Sequence, residues 1–177
     1  MAGEQDGGDY DEVNPLHLVP TLVDGDAVLH QSAAIIEYLD EIQPEPSLLP
    51  GDVATRSRIR ALGLAIPADT HPLNTIRVYK YLVDSYGIND DQFTDWTAHR
   101  MSIAFGAVEK TPAGTGGDFC FGNSPTLADC CLGPQIVVAE RFGIDMGAFP
   151  TITGIGERCL KMPAFENALP ANQPDAP

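Results

Sequence analysis

The sequence predicts a mostly helical α+β protein, with a short strand, turn, strand and helix unit ahead of a longer all-helical domain. Three observations carry that prediction. Upstream of Pro44, two short apolar runs flank a hairpin-type turn. Downstream of Pro50, the apolar residues recur at helical spacing throughout. Between them, Pro44-Glu45-Pro46-Ser47-Leu48-Leu49-Pro50 sets three prolines in seven residues, a density that forbids helix and marks a linker. The 177 residues suffice for two small packed units, taken as residues 1–46 and 47–177.

Met1 to Glu12 is rich in Gly and Asp, has no periodicity and reads as a flexible leader. Leu18 to Leu22 and Ala27 to Leu29 flank Asp24-Gly25-Asp26 and read as two strands of a hairpin. Ser32 stands before Ala33 to Leu39, whose Ile35, Ile36 and Leu39 repeat at helical spacing, so Ser32 is the expected N-cap. Ala54 to Ile66 follows as a helix that Pro67 should kink or end. His71 to Asn74 restarts it, and it runs on to Tyr86-Gly87. Asp90 to Lys110 is a further helix, with Phe93, Trp96, Ile103, Phe105 and Val108 expected inside, ended by Pro112 and Gly114, Gly116 and Gly117. Thr126-Leu127-Ala128-Asp129 has capping-box spacing with Asp in place of Glu and opens a helix to about Phe142. Ile152 to Leu160 is the last amphipathic stretch, before a Pro-rich tail from Pro163 to Pro177.

Charge narrows the function classes. Twenty-five acids against ten bases give a net charge of −15, which repels both a phosphate backbone and an anionic bilayer. Nucleic acid and membrane are therefore excluded as partners. No apolar run has the length of a spanning helix, and Met1 to Glu12 carries five acids and no base, unlike a signal peptide. Cys120, Cys130, Cys131 and Cys159 show no CxxC or Cys/His spacing, so no metal site is expected. They read as free thiols of a reducing cytoplasm, with at least one of the adjacent Cys130 and Cys131 packed in the core.

Several motifs resemble the zeta class of cytosolic glutathione transferases, which contains maleylacetoacetate and maleylpyruvate isomerases. They are Asn14-Pro15 with Val19-Pro20-Thr21-Leu22, His30-Gln31-Ser32 with Ala34-Ile35-Ile36-Glu37-Tyr38-Leu39, and His71-Pro72-Leu73-Asn74 with Arg77-Val78. Phe119-Cys120-Phe121-Gly122, Thr126-Leu127-Ala128-Asp129-Cys130-Cys131-Leu132, Glu140-Arg141-Phe142 and Gln173-Pro174-Asp175-Ala176-Pro177 continue the likeness. It spans about residues 13–177 and implies a glutathione transferase-like fold, with an incomplete thioredoxin-like unit followed by an all-α domain. It also implies a cytoplasmic homodimer that uses glutathione to isomerise a small dicarboxylate, maleylacetoacetate to fumarylacetoacetate in tyrosine and aromatic-acid breakdown. The alternatives are maleylpyruvate of gentisate breakdown, or a non-catalytic module of the same fold.

The resemblance assigns glutathione to Val19, Pro20, Gln31 and Ser32. Val19-Pro20 matches a cis-proline turn that frees the Val backbone to pair with the cysteinyl unit; a trans proline in an ordinary turn is the alternative. Gln31-Ser32 sits where a strand feeds a helix, and free amides beside a hydroxyl make an anion site for the γ-glutamyl carboxylate, or a bare cap. His71, Arg77 and Arg141 match positions that line the family's substrate cleft, where an arginine fork can grip a carboxylate with two hydrogen bonds. Surface ion pairs, or a satisfied histidine, are the alternatives; Arg100 is a weaker candidate for the same role, with a solvated helix face as its alternative. Thr126 and Asp129 read as a structural capping box. The family's serine motif, which activates the thiol, has no match upstream of Val13, so no catalytic residue is assigned. Thr75 stands where the family usually has Asn, and His17 is read as an exposed loop residue that could otherwise approach the glycyl end of glutathione.

Overall fold

The computed structural model describes residues 7–111, 117–174 and 176. Residues 1–6 of the leader, Pro112, Gly114, Gly116, and Asp175 and Pro177 of the tail motif lie outside the described residues. The chain divides into two compact units, Met1–Leu48 and Leu49–Pro177.

In the first unit, part of the expected leader is ordered as a helical turn, α1 (Gly8–Asp11). Polar side chains hold it. The Tyr10 hydroxyl donates to the Leu18 carbonyl at 2.8 Å and bonds Thr21 Oγ1 at 2.8 Å, while Asn14 Nδ2 donates to the same carbonyl at 2.7 Å. Asn14 is buried. With its carbonyl taken by two side chains, Leu18 does not enter the sheet, and the strand begins after Pro20 as β1 (Thr21–Asp24), not at Leu18. It pairs antiparallel with β2 (Ala27–His30), in register Thr21 to His30 and Asp24 to Ala27. Gly25, at φ 58°, supplies the left-handed residue that so short a turn needs.

The helix α2 (Ser32–Ile42) begins one residue earlier than expected. Gln31, at φ 72° and ψ 120°, takes the cap position, and its carbonyl already accepts the Ile35 N–H at 3.0 Å. Ser32 is thus the first helical residue, not the N-cap, and no side-chain bond caps this helix.

The second unit opens with α3 (Val53–Leu64), capped by Asp52, whose carboxylate accepts the Thr55 N–H at 2.8 Å. Pro67 brings no N–H, so the regular ladder cannot pass through it. The chain widens into a π-helical segment, Ala65–Thr70, with Thr70 Oγ1 donating to the Ala65 carbonyl at 2.8 Å. A 3-10 turn, His71–Asn74, follows, then Thr75 extends (φ −80°, ψ 158°), and α4 (Ile76–Tyr86) starts anew until Gly87 stops it at φ 65°. The single helix expected from His71 to Tyr86 is therefore broken at Thr75.

α5 (Asp90–Lys110) carries a capping box that the sequence reading missed: Asn89 and Gln92 exchange backbone and side-chain bonds. Its buried face is Thr97, Met101, Ala104, Phe105 and Val108. Trp96 and Ile103, expected inside, are 40% and 48% exposed because they flank that face. The Trp96 indole N–H instead donates to the Leu73 carbonyl at 3.1 Å. α6 (Leu127–Ala139) tightens into a 3-10 turn, Glu140–Phe142. α7 (Pro150–Leu160), α8 (Pro163–Asn167) and a 3-10 turn, Pro170–Asn172, follow, so the expected tail is helical over much of 163–172. Ile59, Met101, Phe105, Leu127 and Ile152 are the large fully buried hydrophobic side chains at its centre. Gly63 makes the α3–α6 contact possible, since a Cβ there would lie 2.4 Å from Leu127 Cδ2. No described helix is long and apolar enough to cross a membrane.

Candidate functional site

The hairpin register decides how the first group of residues is arranged. Because Thr21 pairs with His30, Pro20 and Gln31 lie at the same open end of the β1–β2 ribbon. The Val19-Pro20 bond is cis, and the Val19 side chain is exposed. Beside it, the N-terminus of α2 presents amides with no side-chain cap, no acid in its first turn, and the exposed Ser32 hydroxyl. Such an end carries a partial positive charge and is suited to a carboxylate. Gln31 holds a left-handed conformation that a non-glycine residue rarely adopts, a cost that persists where the surrounding structure fixes it. Val19, Pro20, Gln31 and Ser32 are thereby brought together. His17, also at positive φ, sits 3.2 Å from Asp11 through Nε2.

The second group is spread over two segments of the helical unit. His71 opens the 3-10 turn and Arg77 is the second residue of α4, on either side of extended Thr75, and both are exposed. Arg141 is exposed on its own 3-10 turn. Both turns pack against α5, which is their common support.

The residues 1–42 match the family model of the glutathione S-transferase N-terminal domain. A probable maleylacetoacetate isomerase of Vibrio cholerae serotype O1 is 44% identical over 174 residues, covering 98% of this chain and 81% of that protein. The holo structure of a maleyl pyruvate isomerase, described as a bacterial glutathione S-transferase in the zeta class, is 40% identical with a TM-score of 0.94, covering 98% and 83% of the two chains. The chain belongs to the zeta-class glutathione transferase family. A maleylacetoacetate isomerase from Methylobacterium extorquens AM1, solved with bound malonate and GSH, is also similar, at 35% identity and TM-score 0.91 over 99% and 84% of the chains.

Within this zeta-class chain, Thr126 and Asp129 form a buried knot. The Asp129 carboxylate accepts the Thr126 N–H and hydroxyl, each at 2.8 Å, and the Cys120 N–H at 2.9 Å. The Thr126 hydroxyl donates to the carboxylate, so the pair ties the loop before α6 to its first turn. Cys120 and Cys159 are buried, while Cys130 and Cys131 are each half-buried. Burial pushes all four thiols up, Cys130 and Cys159 to about 12 and Cys131 to about 11, so none is a ready nucleophile at neutral pH. Among the described residues no cluster of His, Cys, Asp and Glu could hold a metal.

Two features differ from the sequence reading. Glu109, at the end of α5, accepts the Thr151 and Ile152 N–H groups at 2.9 and 3.0 Å and so caps α7 from another helix. No local motif signals a cap from more than forty residues away. Arg100, assigned to a solvated face, is instead part-buried, with Nε enclosed.

Proposed function

We propose that the chain catalyses glutathione-dependent cis–trans isomerisation of maleylacetoacetate to fumarylacetoacetate, in the breakdown of tyrosine and related aromatic acids. The observation that carries this reading is the 44% identity, over 98% of the chain, to a probable maleylacetoacetate isomerase. The similar maleyl pyruvate isomerase supports a second substrate, maleylpyruvate, which shares the maleyl end. When bound, glutathione would supply the sulfur nucleophile: its addition as thiolate to the alkene carbon conjugated with the carbonyl would leave a single bond free to rotate, and its elimination would restore the double bond, now trans, and return glutathione.

The chain's own residues account for binding and charge. Val19 is exposed beside the cis Pro20, which suits strand-like pairing of its backbone with the cysteinyl unit. The uncapped start of α2, with Gln31 and Ser32, fits the γ-glutamyl carboxylate. Arg77 and Arg141 are exposed cations, and His71 an exposed imidazole, that would hold a dicarboxylate on an acidic protein, and an arginine beside the dicarbonyl would stabilise the negative charge that develops on oxygen. A homodimer is supported by the exposed apolar side chains Leu64, Ile76, Tyr81 and Tyr86, and a cytoplasmic location by the four free thiols.

The test is conversion of maleylacetoacetate by the purified chain, with product geometry read by NMR. Appearance of the trans product at a rate that rises with glutathione and saturates is the expected result. A rate independent of glutathione, or conversion of neither maleylacetoacetate nor maleylpyruvate, overturns the reading. Sedimentation velocity separates dimer from monomer.

A further inference from the structure

Four side-chain atoms among the described residues are buried without a hydrogen-bond partner: both polar atoms of Asn74, Thr97 Oγ1 and Arg100 Nε. Buried polar groups are nearly always paired, so such a group marks strain, a bound water or a role in binding. These four belong to two elements that pack together. Asn74 ends the 3-10 turn that begins at His71 and lies three residues before Arg77. Its neighbour Leu73 accepts the Trp96 indole N–H, which ties the turn to α5 next to Thr97. Thr97, fully buried, and Arg100 follow one turn apart along one side of α5.

Arg100 has neither an acidic partner nor a hydrogen bond among the described residues. Nε is enclosed without a partner, while the residue as a whole is only half-buried. A guanidinium with an enclosed, unpaired Nε is costly unless an anion completes it. A carboxylate meets that need with two parallel hydrogen bonds.

We propose that Arg100 is a further carboxylate-binding residue, taking the far carboxylate of the dicarboxylate substrate and thereby selecting the length of its acyl chain. This rests on the isomerase reading, in which His71 and Arg77 hold the other end. Thr97 and Asn74, on the helix and the turn packed against it, supply the other unpaired polar groups of this pair of elements.

The experiment compares wild type, Arg100→Leu and Arg100→Lys by calorimetry with three probes: suberate, malonate and glutathione. Suberate is a saturated eight-carbon diacid with the chain length of maleylacetoacetate, and malonate is too short to span two separate cations. Loss of a charge-assisted pair should weaken suberate about 10- to 100-fold in Arg100→Leu, with malonate and glutathione unchanged and Arg100→Lys intermediate. Unchanged suberate affinity in Arg100→Leu overturns the proposal. So does a parallel loss for all three probes, which marks a disturbed fold. If Arg100→Leu does not fold, Arg100→Lys decides alone: it keeps the charge but not the planar fork, and suberate binding equal to wild type overturns the assignment. Turnover by wild type is scored separately; its absence fails the isomerase reading, whereas the suberate comparison judges Arg100.

Discussion

At residue scale, Ser32 is where sequence and structure part most usefully. As an N-cap its removal would cost roughly 0.5–2 kcal/mol, but Gln31 holds the cap position and Ser32 makes no capping bond. Ser32→Ala should therefore change stability by less than about 0.5 kcal/mol while weakening glutathione binding, as read by denaturant melts and calorimetry on the same sample. A destabilised protein of unchanged affinity would return Ser32 to a purely structural role. The motif was legible, because Gln-Ser before an apolar helix is a local pattern; the positive φ of Gln31 was not, because nothing in the side chain demands it. Arg77 carries the complementary prediction. Arg77→Ala should raise KM for the dicarboxylate about 30- to 100-fold with little change for glutathione, the scale of one unpaired carboxylate. Equal losses for both ligands in steady-state kinetics would reject a substrate clamp.

At the scale of elements, periodicity fixed which stretches are helical but not how they join. Pro67 announced a break, yet the widened π-helical segment that absorbs it, and the extended Thr75 beyond, depend on packing against α5 and leave no local signature. Trp96 shows a related effect: it flanks the buried face, and its indole N–H needs an acceptor and finds one at the edge, on Leu73. The cap of α7 by Glu109 is the non-local joint that can be tested by pH. Burial raises this carboxyl, but the bonds from Thr151 and Ile152 outweigh it and hold the group below the ordinary glutamate value. A carboxylate depressed in the folded state stabilises above its unfolded pKa, near 4.3, and that contribution disappears as pH falls through the folded value. Glu109→Gln should thus melt below wild type at pH 7, with the gap narrowing in acid as wild type loses the charged cap. A gap constant from pH 7 to pH 3 would mean that the charge contributes nothing.

At the scale of the whole molecule, the two units differ in what holds them. Among the described residues of Met1–Leu48, Ile35 is the one buried hydrophobic side chain, and order comes from polar ties such as those of Tyr10 and Asn14. Val23 and Val28, paired across the ribbon, are 59% and 46% exposed, and a two-stranded sheet is marginal on its own. Leu49–Pro177 instead has a core whose buried hydrophobic side chains run from Leu49 to Cys159. Stability in a protein is local where buried contacts are few, so amides of residues 21–42 should exchange hydrogen faster than those around Ile59, Phe105 and Leu132. Glutathione adds a second half to the prediction. A ligand that binds only the ordered form stabilises it by about 2.7 kcal/mol at a hundredfold excess over Kd, so exchange in residues 21–42 should slow about 100-fold while the helical core changes little. Exchange read by mass spectrometry, with and without glutathione, checks both halves. Equal protection of the two units in the free protein would refute the first, and slowing centred on α5 or α7 would move the glutathione site off the hairpin.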